Sequence, residues 1–416
     1  MTGHYAILRS NWFPILWLIV ILGVTLVPLE ATDELPPILC VLCGDGALAD
    51  GVLNAALFLP LGAALSVAGW RAWRNIALGA LLSCGLETAQ FVIPGRDPSL
   101  SDVLFNTLGA ALGAALAHSA PAMWRPTPRR ADLFSIAGAL GAASVITLTS
   151  VLLAPSFPED VYYGGWTPRF GHLEWYGGRV LQASVDGLEI PPGVLQSSQQ
   201  VRQQLLANAA IHVLARAGPR PQGLAPLFTV HDQHHREILL LGVDEDDIVY
   251  RYRTRAVAWG FVGPEMRARG ALRGIGWRKP LAVIVYPTGN GHCVGVNATE
   301  RCGLGYTIGT GWALLLSNQP VPLWLRPTLN VVWLVVLFFP TGIWARFGWA
   351  FVAAAALSLA GLLLLPAPIG LLPTPRPELL GALAGFLAGW ATGRLRLRPP
   401  RSGPRIAPGV EPAAFD

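Results

Sequence analysis

Charge is what this sequence has least of. Asp, Glu, Lys and Arg make up 13% of its 416 residues, where a soluble globular protein carries about 25%. An ordinary water-soluble domain is therefore excluded as a description of the whole chain. Lysine is all but missing, Lys279 being the single one, and every other basic residue is arginine. The arginines gather at loop ends and in the C-terminal tail rather than along one face. The formal net charge of +5 thus outlines no nucleic-acid surface, and no nucleic-acid partner is expected. There is no HExxH helix, no phosphate-binding glycine loop and no adjacent nucleophile and base, so no catalytic motif is present. Five cysteines are too few for a disulfide-rich scaffold. The pair Cys40-x-x-Cys43 lacks the two further ligands that zinc requires, so neither metal nor cofactor is expected.

Apolar sequence is abundant, at 52% of residues. Runs long enough for membrane helices fall at 12–29, 51–69, 75–93, 102–118, 132–154, 327–345, 348–366 and 377–393. The first has only Arg9 ahead of it and others follow, so it reads as a retained span and not a cleaved signal peptide. Arg71, Arg74, Arg125, Arg129, Arg130, Arg346, Arg394, Arg396, Arg398, Arg401 and Arg405 fall on one side if both termini are cytoplasmic. The expected fold is a polytopic α-helical membrane protein of about eight spans with an inserted all-β sandwich domain. Its parts are a first membrane half at 1–155, an extracytoplasmic domain at 156–320, a second membrane half at 321–398 and an unstructured cytoplasmic tail at 399–416.

The stretch LETAQFVIPGRDPSLSDVLFNTLG at 86–109 puts polar groups between two apolar runs. Ionisable groups at membrane depth cost roughly 2.5–3.5 kcal/mol each on insertion scales, so they need partners or a task. In the expected topology Asp50, Asn54, Glu87, Gln90, Arg96, Asp102 and Asn106 share the outer half of the membrane. Residues 83, 87 and 90 fall on one helical face, as do 102, 106, 109 and 113. The second set shares the stripe of Gly109 and Gly113, a pattern that lets helices approach closely. These seven residues form the expected polar or ligand-binding pocket. The plainer alternative is a buried ion pair of Arg96 with Asp102 or Glu87 that fixes helix register.

The two ends of the chain also resemble each other. LFLPLG at 57–62 matches LFFPTG at 337–342, and Asp102 and Glu378 are each followed by glycine at +7 and +11. A four-plus-four repeat with both halves oriented alike is expected. The second half keeps no counterpart of Glu87, Gln90 and Asn106, which points to a single site in the first half.

ADGVLNAALFLPLG at 49–62, SCGLETAQ at 83–90 and GRDPSLSDVLFNTLGAALG at 95–113 resemble the VanZ-like family of bacterial membrane proteins, over about residues 10–118 and more weakly in the last three spans. The resemblance implies a role in the cell envelope and a link to glycopeptide (teicoplanin) resistance. It implies no reaction.

Between 156 and 320 the apolar density falls and turns punctuate short alternating runs. DDIVYRYRTRA at 246–256 alternates as a half-buried strand, and REILLLGV, LAVIVYP and WALLLS read as further strands. This region resembles concanavalin-like (laminin-G-like) jelly rolls, a likeness that implies glycan binding only by analogy. His231, His234 and His235 read as a solvated turn before a metal site, and the acidic run 244–247 as a turn before a calcium site. Cys40 with Cys43, and Cys293 with Cys302, are disulfide candidates in an oxidising compartment. Cys84 is expected to pack inside its helix bundle.

The expected protein is a multi-pass protein of the bacterial plasma membrane that binds a lipid head group or a lipid-linked cell-wall glycan. An intramembrane enzyme using Glu87 or Asp102 as general acid or base, or a small transporter, are the alternatives.

Overall fold

The computed structural model describes residues 12–28, 46–96, 98–171, 173–316 and 321–397. Helices occupy all eight apolar runs. The first five are α1 (Trp12–Thr25), α2 (Ala47–Val67), α3 (Ala72–Gln90), α4 (Leu100–Trp124) and α5 (Pro128–Leu153). Local sequence sets their starts. Ser99 caps α4, its side chain accepting from the Ser101 N–H, and Pro128 opens α5, where a missing N–H costs nothing.

The β domain follows. One antiparallel sheet has the order β4-β1-β6-β7-β8-β9, from Gly193–Val194, Tyr162–Trp166, Ala225–Asp232, Glu237–Asp244, Asp247–Tyr252 and Met266–Ala268. The other has the order β12-β11-β10-β5-β2-β3, from Thr299–Leu304, Gly291–Val296, Pro280–Thr288, Ile211–Arg216, Arg179–Val185 and Leu188–Glu189. Strand β5 alternates buried and exposed residues along its length, the mark of a sheet with one wet face. Six successive residues of β7, 238–243, are buried, so the first sheet is covered on both faces at its centre. Three short helices complete the domain: α6 (Ser198–Leu206), α7 (Arg255–Ala258) and, after a 3-10 turn at Ile308–Trp312, α8 (Ala313–Leu316).

Two expectations fail here. WALLLS is not a strand: Trp312 ends the 3-10 turn, and Ala313–Leu316 is helical. Its apolar residues face the junction with the helices, where the Trp312 indole donates to Asn330 at 2.7 Å, instead of pairing along a sheet. The alternation at 246–256 also stops early. β8 ends at Tyr252, and α7 begins at Arg255.

The chain then returns to α9 (Arg326–Ile343), α10 (Trp349–Leu363) and α11 (Arg376–Leu397). Among the described residues α2, α4, α5 and α9 are long and apolar enough to cross a membrane, and α1 and α10 are shorter apolar helices.

The glycines of α2, α4, α9 and α11 give physical substance to the repeat. A Cβ on Gly109 would collide with the Ala55 carbonyl, and one on Gly113 with that of Leu59. In the second half Gly385 stands the same way against Val335, and Gly389 against Phe339. Gly62 and Gly342 make the reciprocal contacts, with Ala110 and Phe386. One pair is exchanged: Gly51 receives Phe105 in the first half, whereas Gly381 receives Val331 in the second. The same helix contact is built twice, with the small residue moved across it. Outside each pair lie α1 in the first half, where the Trp17 indole reaches the Leu57 carbonyl at 2.8 Å, and α5 in the second, where Ser135 reaches that of Thr341 at 2.9 Å.

The β domain is docked on the ends of these helices. Leu48 and Ala49, in the first turn of α2, donate their N–H groups to the Gly260 carbonyl at 2.8 and 3.1 Å. That carbonyl answers donors which a helix start otherwise leaves unpaired. On the other half, Leu372 N–H donates to Tyr306 O at 2.8 Å, and the Asn290 amide to Ala367 O and Leu371 O at 2.8 and 3.0 Å.

Candidate functional site

Helix α3 buries Ser83, Glu87 and Gln90 on one face, and α4 buries Asn106 toward it while turning Gly109 and Gly113 to α2. Asn106 donates to Ser83 Oγ at 2.9 Å, while its own Oδ1 is buried without a protein partner among the described residues. Glu87 accepts the Ser99 backbone N–H at 2.7 Å. The residue that caps α4 therefore also donates a hydrogen bond to the Glu87 side chain on α3, and this ties the α3–α4 loop to both helices.

Asp102 sits in the first turn of α4, half-buried, where negative charge is favoured by the helix dipole. Its polar neighbours are Asp50 and Asn54 from α2, Ser101 beside it, and Arg96 from the loop; it also acts on Glu87. Asp50 itself opens α2 in the same way and is exposed. Asp50, Asn54, Glu87 and Asp102 thus stand together at one end of α2, α3 and α4.

Arg96 and Gln90 face elsewhere. Arg96 donates from Nε to Val27 O at 2.9 Å and from Nη2 to Val24 O at 2.7 Å, and the Gln90 amide donates to Thr25 O at 3.0 Å. All three acceptors lie at the C-terminal end of α1, whose last carbonyls have no intrahelical partner. The ion pair of Arg96 with Asp102 or Glu87 is absent: among the described residues Arg96 reaches no carboxylate within 4 Å, and its influence on Asp102 is through space. The guanidinium caps α1 because carbonyl oxygens, and not a carboxylate, lie within its reach.

The second half holds a polar cluster at the residue that the glycine spacing pairs with Asp102, a cluster the sequence reading did not foresee. Glu378, in the first turn of α11 and buried, accepts from Thr307 Oγ1 at 2.7 Å, from the Gly309 N–H at 3.0 Å and from the Asn330 amide at 3.0 Å. Asn330 in turn accepts from the Trp312 indole. The signal was available: Glu378 carries the glycine spacing of Asp102, and Asn330 stands ten residues before Pro340, as Asp50 does before Pro60. Two of the three donors to Glu378 come from the β domain. At this position the second repeat binds a hydroxyl and an amide N–H supplied by the chain itself. Asn75, fully buried near the start of α3 and bonded to Ser66 Oγ at 2.7 Å, was also missed; it joins α3 to α2.

In the β domain, Asp232 is held by the N–H groups of His234 and Arg236, both at 2.9 Å, and by Arg236 Nε at 2.7 Å. Burial would raise its carboxyl, but these bonds outweigh it and hold the group below the usual aspartate range. His231 stacks on Tyr163 and His235. Asp160, Asp232 and His234 could together hold a metal ion by distance alone, yet the Asp232 oxygens are engaged by the turn. Asp244 and Asp247 pair with Arg267, and Asp246 with Arg220, so the acidic run is a turn cross-linked to arginines. Cys293 and Cys302 form a disulfide with Cα atoms 4.0 Å apart. Cys40 and Cys43 lie outside the described residues. Cys84 does not pack inside the bundle; it is exposed on α3, because the inner face is taken by Ser83, Glu87 and Gln90.

A family model described as VanZ/LLP1 matches residues 9–122. No curated protein and no solved structure matches the chain. The match covers α1 to α4, the helices that carry the cluster around Asp102, and with the apolar helices it marks a membrane protein.

Proposed function

We propose that this chain is a cell-envelope membrane protein of the VanZ-like type whose first repeat binds a lipid head group or lipid-linked cell-wall glycan at Asp50, Asn54 and Asp102. Its two ends are cytoplasmic, the helices of its eight apolar runs cross the plasma membrane, and its β domain, read as a concanavalin-like sandwich, meets saccharide outside. A link to teicoplanin resistance belongs to the same reading.

One observation carries the proposal: the repeated carboxylate position accepts a hydroxyl and an N–H in the second half. Asp102 occupies that position in the first half, with a second carboxylate and an amide beside it. Two acidic groups with no cation in contact among the described residues suit a ligand rich in donors, such as sugar hydroxyls or an ammonium head group. Carboxylates accept such donors in charge-assisted bonds about twice as strong as neutral ones.

The test is native mass spectrometry of the protein released gently from bacterial membranes. The wild type is expected to retain a lipid or glycolipid mass that Asp50→Asn/Asp102→Asn loses while accumulating normally. Equal retention by both proteins would reject the site.

A further inference from the structure

Where the β domain meets the start of α9, the structure encloses a second polar site, separate from the Asp102 cluster. A cavity of about 270 Å³ lies there, walled by Tyr306 and Trp312 and by Arg251, Arg269, Arg326 and one carboxylate, Glu265. The charges do not cancel within it. Glu265 is already bonded on both sides, accepting from Arg267 Nε and from Arg326 Nη1, each at 2.7 Å. Arg251 is held in a two-pronged pair by Glu237 from behind. Arg269 has no carboxylate within 4 Å among the described residues and reaches only the Leu323 carbonyl, at 3.3 Å. Arg326 keeps a buried Nε with no hydrogen-bond partner among the described residues. A buried unpaired donor costs roughly 1–3 kcal/mol, and more when charged. Both guanidinium groups line the same space, and each has bonding capacity that the described residues leave unused.

The position of the cavity narrows the ligand. Arg326 opens α9, a helix long and apolar enough to cross a membrane. Trp324, two residues ahead of it, is 76% exposed, and exposed tryptophan at the end of such a helix marks the level of lipid head groups. Planar guanidinium forks match phosphate oxygens in paired bonds, and their charge persists at every physiological pH. We infer that this cavity binds the phosphate group of an anionic membrane lipid, with Arg269 and Arg326 as the ligating side chains and Arg251 adding charge.

The test uses the full chain in nanodiscs of phosphatidylcholine, with and without phosphatidylglycerol. Two variants are compared with the wild type: Arg269→Gln, which removes the free cation, and Arg326→Lys, which keeps a charge for Glu265 but loses Nε. Phosphatidylglycerol is expected to raise the melting temperature of the wild type, and native mass spectrometry to find it retained at least fivefold more than by Arg269→Gln, with Arg326→Lys between them. Inorganic phosphate added in detergent separates the sources. If it stabilises the wild type and not Arg269→Gln, while the lipid has no effect, the oxyanion site stands and its ligand is soluble phosphate. Equal retention by wild type and Arg269→Gln, with no stabilisation of either by lipid or phosphate, overturns the site. The Asp50→Asn/Asp102→Asn protein serves as control and should bind phosphatidylglycerol as the wild type does, so the two sites fail or stand separately.

Discussion

The Thr307 hydroxyl donates to the Glu378 carboxylate at 2.7 Å, and through that bond the β domain is fastened to the last long helix. The carboxylate needs it. Glu378 is buried at the start of α11, and its three donors are Thr307, Gly309 and Asn330. A bond to an ionised group contributes about 1.5–3 kcal/mol.

Thr307→Val should therefore cost stability in that range and loosen the junction locally. Hydrogen exchange read by mass spectrometry is expected to accelerate at 306–312 and leave β5 and β10 unchanged. Undiminished protection at 306–312 would show that the bond does not hold the domain.

Close contact of α2 with α4 depends on glycine having no side chain. Gly113→Val places atoms inside the Leu59 carbonyl and must push the helices apart, at about 1–3 kcal/mol or more for such overpacking. Gly85→Val, where nothing lies within 4 Å of the new Cβ, is the control and should accumulate normally. The repeat predicts that Gly389→Val behaves like Gly113→Val. Thermal melting in detergent measures all three.

Arg96 and Asp102 should separate architecture from function. Arg96→Ala frees the end of α1 by removing donors to Val24 and Val27, so protein level should fall. Asp102→Asn keeps the shape of its side chain and should leave protein level unchanged while abolishing any teicoplanin phenotype. If immunoblots show both variants lost alike, Asp102 is structural and the proposed ligand site has no support.

An alkaline phosphatase fusion after residue 200 should be active in a bacterial host, since the proposed topology puts the β domain outside. An inactive fusion, with a cytoplasmic reporter active at the same point, would reverse the orientation.

Acid should weaken the β domain through His292. Its ring packs against Tyr250 and Tyr252, its Nδ1 is buried without a partner among the described residues, and burial pushes its pKa below the ordinary 6.5. As pH falls below 6.5 the unfolded imidazole takes up a proton while the folded one stays neutral. The unfolded state then binds more protons, and stability declines. The melting temperature should drop between pH 7 and 5 in the wild type and drop less in His292→Gln. Parallel curves for the two proteins would remove His292 from the account.

Much of this molecule was written in local sequence. Eight apolar runs became eight helices, because hydrophobic length and spacing act over one or two turns and need no distant partner. Ser83, Glu87 and Gln90 share a buried face of α3 for the same reason, and the glycine stripes of α4 and α11 could be read directly by their spacing. The sequence also marked the polar residues around Asp102. It did not choose their partners. Arg96 had carboxylates nearby in sequence, yet it binds the end of α1, some seventy residues earlier in the chain. WALLLS carries the apolar content of a strand, yet its backbone turns into helix where the β domain meets Asn330 and Glu378. Those choices were made by which groups tertiary packing brought within about 3 Å of one another, and hydrogen bonds are decided at that range.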